Sequence, residues 1–184
     1  MKLAIFLEQY EMGGVDTHLI TMLLGWPSSD DSFLILVNEN HKGLKRLEEE
    51  LGGRETIQIR PYAPFSYAHI QMTLGKSSLT SPLRAAVWLL FPVFFFLQVL
   101  CAYRILKQYD LDGLLADNGN YPGGQGVLAS IVAASYLGIP RRVLLVHHSA
   151  IKPSLFRSSM ERWIDEIVTR SATELDGLLC RRYQ

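Results

Sequence analysis

The chain has 184 residues, 48% of them hydrophobic, which is enough for one domain with a full core and short for two. Eighteen Lys and Arg balance 18 Asp and Glu, so no net surface field draws nucleic acid, and a nucleic-acid partner is not expected. Cys101 and Cys180 suggest neither a disulfide framework nor a metal-ligand cluster, and no leader signature precedes the first strand pattern; the expected setting is reducing and cytoplasmic.

Apolar runs with strand character recur at Leu3 to Leu7, Phe33 to Val37, Thr56 to Ile59, Gly113 to Ala116, Val143 to Val146 and Asp176 to Cys180. Between them lie segments with helical character: Val15 to Leu24, His41 to Leu51, Ser81 to Gln108, Gly124 to Leu137 and Leu155 to Ser171. Gly52-Gly53 and Gly138-Ile139-Pro140 supply helix stops, and Ser154 a helix start. Pro61 to Ser81 reads as a long loop. Strand and helix in alternation predict an α/β fold, a Rossmann-like open parallel sheet with helices on both faces, formed by residues 1–184 as a single domain.

The first strand runs into Gly13-Gly14 and then a helix. A helix start offers unpaired N–H groups and the positive end of the helix dipole, and glycine lets a ligand come close to the backbone. Glycine there also serves a tight turn alone. The pattern lacks the third glycine of the dinucleotide fingerprint, and the chain has no phosphate loop of the G-x-x-x-x-G-K-[ST] type. Ligands of open parallel sheets gather beyond the carboxyl ends of the strands, which here are Glu8 to Thr17, Asp117 to Gly124 and His147 to Lys152.

Within those segments, Asp117 and Asn118 bind hydroxyls of a ligand or cap the helix that begins near Gly123-Gly124. His147 contacts a reacting group, or is a buried histidine held by a backbone carbonyl. His148 is one residue on and belongs to the opposite face. His18, His147 and His148 do not read as a metal site, because no carboxylate or cysteine stands at ligand spacing in the sequence. Arg141-Arg142 read as a strand start rather than a phosphate contact.

Ala85 to Tyr103 contains no charged residue, and as a helix it extends about 28 Å, close to a bilayer core. Pro92 in its middle is expected to kink it. A membrane-surface contact is expected, with Phe94 and Phe95 as the residues that make it.

Taken together, Gly13-Gly14-Val15 with His18 after the first strand, Asp117-Asn118 before a glycine-rich helix start, and a strand ending in Val146-His147 resemble the N-terminal half of GT-B glycosyltransferases of the family 4 type. The resemblance covers nearly the whole chain. It implies an acceptor-side domain in which Gly13 and Gly14 line the interdomain cleft, His147 lies at the reacting sugar, and Lys152 makes a polar acceptor contact. It further implies hexosyl transfer from a sugar nucleotide, acting as co-substrate with no cofactor and no metal, to a cell-surface polysaccharide or lipid-linked acceptor. The donor-domain signature of paired glutamates is absent from the 184 residues. The expected partners are therefore the sugar acceptor, a separate donor-domain chain and a membrane surface, and little activity is expected of the chain alone, since positioning both substrates is worth about 7–11 kcal/mol. Two other readings stay open: a non-catalytic module that docks a partner, and a membrane-anchored protein.

Overall fold

The computed structural model describes residues 1–63, 89–119, 124–147 and 158–176. Six strands form one parallel sheet: β1 (Lys2–Leu7), β2 (Ser32–Asn38), β3 (Ile57–Tyr62), β4 (Gly113–Asn118), β5 (Arg141–Val146) and β6 (Glu174–Asp176), in the spatial order β3-β2-β1-β4-β5-β6. The described helices are α1 (Gly14–Leu24), α2 (Leu44–Leu51), α3 (Phe91–Leu106), α4 (Gln125–Tyr136) and α5 (Ser158–Ser171). The predicted α/β class is the observed one.

Placing β1 at the centre explains its sequence and that of β2. Strands covered on both faces need no polar alternation, and Phe33 to Asn38 are buried without a break. The two faces carry separate cores. On one, Ile5, Leu7, Ile35 and Val37 meet Leu19, Leu23 and Leu47 of α1 and α2; on the other, Ala4, Phe6, Leu114 and Leu144 meet α3, α4 and α5. Gly126 to Ala134 of α4 are all buried, and the Ala and Ser among them let the helix lie close to its neighbours. Pro61 belongs to β3 rather than to a loop, which an edge strand tolerates. Arg141-Arg142 do begin a strand.

The long apolar segment differs from expectation. Its described helix starts only at Phe91 and its 16 residues extend about 24 Å, so no described helix is long and apolar enough to cross a membrane. Pro92 sits in the first turn of this helix, where its missing N–H costs no intrahelical bond, and the helical run is interrupted just before it, with Leu89 helical and Leu90 a turn. Phe95, Val99, Ala102 and Leu106 turn into the core, while Val93, Phe96 and Leu100 are exposed along the opposite stripe. Phe95 is therefore a core residue, 2% exposed, rather than a surface contact. The last described strand, β6, covers Glu174–Asp176, and residues 177–180 of the expected strand Asp176 to Cys180 lie outside the described residues.

Candidate functional site

The sheet order reverses between β1 and β4, one strand leading left to β2 and the other right to β5. Connections diverge there and leave a crevice beyond the strand ends. A cavity of about 510 Å³ occupies it, walled by Glu8 to Val15 on one side and by Asn118, Gly119, Gly124 and Gln125 on the other. Gly13 and Gly14 both line it, and a Cβ on either would meet nothing within 4 Å. Gly13 is extended, a conformation open to any residue, so neither packing nor backbone shape demands these glycines. Their effect is to leave bare backbone on the cavity wall.

Asp117 and Asn118, adjacent in β4, project to opposite faces as a strand requires. Asn118 lies toward α4, where a Cβ on Gly124 would overlap its Oδ1; Gly124 has φ +62°, the left-handed region that favours glycine. Gly124, which opens α4, has no side chain with which to cap it. Instead the Gly126 N–H donates to Glu8 Oε2, a carboxylate placed on the helix's positive end. A β-carbon on Gly126 would crowd that oxygen.

Asp117 points to the α1 face and is fully buried, with its Oδ1 2.7 Å from Nε2 of His147, which follows β5 and keeps 19% of its side chain exposed. His147 is thus paired with a carboxylate rather than a carbonyl. Its backbone N–H donates to the Asn118 carbonyl, which continues the β4–β5 ladder and fixes the ring's origin. Burial raises the Asp117 carboxyl above the ordinary carboxylate range, more than the neighbouring imidazole lowers it. His18, reaching over from α1, meets the His147 ring edge-on at 4.7 Å between centroids. The ligand atoms of His18, Asp117 and His147 lie within 4.8 Å of one another. A carboxylate therefore does stand with two histidines, contrary to the reading from linear spacing, because β4 and β5 are neighbours in the sheet. His148 and Lys152 lie outside the described residues.

A second buried pair holds the glycine loop. Asp16 accepts from the Gly13 N–H at 2.6 Å through Oδ2, and its Oδ1 is 2.7 Å from Nε2 of buried His41. The start of α1, read from sequence as an anion-binding corner, thus carries its own carboxylate. Both helix starts beside the cavity are satisfied in this way, one by Asp16 and the other by Glu8.

These features make a Rossmann-like α/β domain, a 3-2-1-4-5-6 parallel sheet with its crevice at the switch point, and the solved structures that it resembles have the GT-B fold. Over 95% of its length the chain superposes on 40% of the MurG chain of Acinetobacter baumannii, with a TM-score of 0.54 and 14% identity. It also matches the UDP-GlcNAc 2-epimerase of Neisseria meningitidis bound to UDP-GlcNAc (TM-score 0.50, 12% identity, 94% of this chain and 39% of that one). Another UDP-N-acetylglucosamine 2-epimerase aligns over the whole chain and 46% of its own length, with a TM-score of 0.52 and 11% identity. The chain spans less than half the length of each of these proteins. No protein-family model and no curated sequence matches it.

Proposed function

We propose that the chain is the acceptor-side domain of a sugar-nucleotide-dependent glycosyltransferase. The observation that carries this reading is the Asp117–His147 pair: a buried carboxylate holding a partly exposed imidazole at the carboxyl edge of the sheet. With Nε2–H donated to Asp117, Nδ1 is the nitrogen able to take the proton of an acceptor hydroxyl as that oxygen attacks the anomeric carbon. The leaving group is the nucleoside diphosphate, and a base acting on the acceptor fits a single displacement with inversion.

The carboxylates at the two helix starts support the same assignment. A diphosphate gains little from α1 and α4 when Asp16 and Glu8 already sit on their positive ends, so its binding belongs to another domain or chain. A polyhydroxyl acceptor without negative charge, by contrast, suits a cavity walled by glycine backbone, Gln9, Tyr10, Asn118 and Gln125 together with the carboxylates Glu8 and Glu11, which accept from hydroxyls and disfavour an anion. Two of the three similar structures are enzymes named for UDP-N-acetylglucosamine, which makes a UDP-hexose the first donor to test.

The test is an assay of the full-length gene product with UDP-N-acetylglucosamine and other UDP-hexoses, with and without polysaccharide or lipid-linked acceptors. Release of UDP that depends on acceptor, with a glycosylated product by mass spectrometry, is the expected result. Conversion of the free nucleotide sugar to its C2 epimer, with no transfer, would overturn it in favour of an epimerase.

A membrane-surface contact at the cytoplasmic face forms part of the proposal. Its support is the exposed apolar stripe of Val93, Phe96 and Leu100, with Leu89 and Leu90 at its start. Val93→Glu with Phe96→Glu adds charge without touching the core and should abolish co-sedimentation with anionic phospholipid vesicles. Equal sedimentation of variant and wild type would remove the membrane from the proposal.

A further inference from the structure

Three elements that are distant in sequence bring a donor set of two imidazoles and one carboxylate to one point: His18 from α1, Asp117 from β4 and His147 from the end of β5. We propose that these three side chains bind a divalent transition-metal ion of the Zn²⁺ type. Zn²⁺ takes nitrogen and carboxylate oxygen at about 2.0–2.2 Å, which puts neighbouring tetrahedral ligand atoms about 3.3 Å apart. Asp117 Oδ1 and His147 Nε2 are 2.7 Å apart and need only open slightly. His18 is exposed on the first turns of α1 and closes the remaining distance by side-chain rotation, since all three ligand atoms already lie within 4.8 Å.

A second observation points the same way. Asp117 Oδ2 is buried and makes no hydrogen bond among the described residues, although the residue is fully enclosed. A buried carboxylate oxygen without a donor is costly, and a metal that Asp117 held through both of its oxygens would satisfy it. The His18 and His147 rings meet edge-on, 4.7 Å between centroids, with a nitrogen of each within 4.8 Å of an Asp117 oxygen. Three protein ligands leave a fourth position open, the pattern of accessible rather than closed zinc sites. The donor set of two imidazoles and a carboxylate excludes a preference for Ca²⁺ or Mg²⁺, which favour all-oxygen shells.

The proposal rests on these side chains and not on the transfer reading: a metal on His147 Nε2 replaces the proton shared with Asp117 and leaves the ring's proton on Nδ1, so the metal-bound site is closed to the base role and its test has no activity readout. The full chain, untagged and stripped with chelator, is titrated with Co²⁺ while its visible d–d absorption is followed, and Zn²⁺ is then added in competition. Expected are a saturable band at a single equivalent and its loss on Zn²⁺ addition. His18→Ala and His147→Gln should each weaken Co²⁺ binding about ten-fold or more. His18 is exposed, so its variant keeps the fold, which far-UV circular dichroism verifies. No saturable band in the wild type would overturn the site, as would a band of unchanged affinity in His18→Ala.

Discussion

His147→Ala is expected to lower kcat for the proposed glycosyl transfer by about 10²- to 10⁴-fold, the range that a positioned general base contributes, with the KM for acceptor moving little. The companion variant, Asp117→Asn, separates a functional pair from a structural one. An asparagine fits the same buried space, but its amide can turn its NH₂ toward Nε2 and force the proton onto Nδ1, the nitrogen the reaction needs bare; kcat then falls by about 10²-fold or more. Stability should move the other way. Burial holds the Asp117 carboxyl above its ordinary value, so in the ionised form it costs the folded state free energy, a cost present at neutral pH and relieved as pH falls. Removing the charge removes that cost. Asp117→Asn is therefore expected to raise Tm at neutral pH while it lowers kcat, and the gain should vanish in acid. Thermal melts across pH, run beside the transfer assay, give both numbers. A variant that loses stability and activity together would mark Asp117 as a structural residue and His147 as its ornament.

How much of this was legible in the sequence follows from which signals are local. The five long strands lie within a few residues of their apolar runs, because a strand buried on both faces is written as a continuous stretch such as Phe33 to Val37. β6 is described only over Glu174–Asp176, and the rest of the apolar run Asp176 to Cys180 lies outside the described residues. Strand order was not local information, and with it went the site's composition. Asp117 and His147 are thirty residues apart, and only the β4–β5 pairing makes them partners. His18 joins them because α1 packs across the same face, which nothing in its neighbourhood announces. The α3 stripe was misassigned for a related reason: the Phe94-Phe95-Phe96 run is apolar all round, and the helix start at Phe91 and the packing of α4 decide which ring is buried. The glycine pair was found from sequence, while the reason it sits beside a carboxylate cap was not. Asp16 lies three residues past Gly13, a spacing characteristic of helix starts, yet its second partner, His41, comes from the loop before α2.

That second partner makes Asp16→Ala the substitution with the largest expected effect on stability. Removing the carboxylate leaves the Gly13 N–H without its acceptor and strands His41 Nε2 in a site where its side chain is 1% exposed. Each orphaned group costs about 1–3 kcal/mol, and the two together about 2–4 kcal/mol after partial relaxation. For a chain of this size each kcal/mol shifts Tm by about 2–4 °C, which places the expected drop at about 5–15 °C. The pH dependence carries the signature. Burial pushes the Asp16 carboxyl up, but the hydrogen bonds from His41 and Gly13 outweigh it and hold it below its ordinary 3.8. A lowered folded value means the contribution is complete above about pH 4 and is lost as pH falls through the folded value, where the unfolded chain binds the proton first. Wild-type stability therefore declines with acid below about pH 4, and Asp16→Asn, which keeps the shape but not the charge, flattens that decline. Urea unfolding at neutral and acid pH measures it. If the two proteins lose stability in parallel as pH falls, the charge on Asp16 is not what ties the glycine loop to His41, and the cavity wall is held by backbone packing alone.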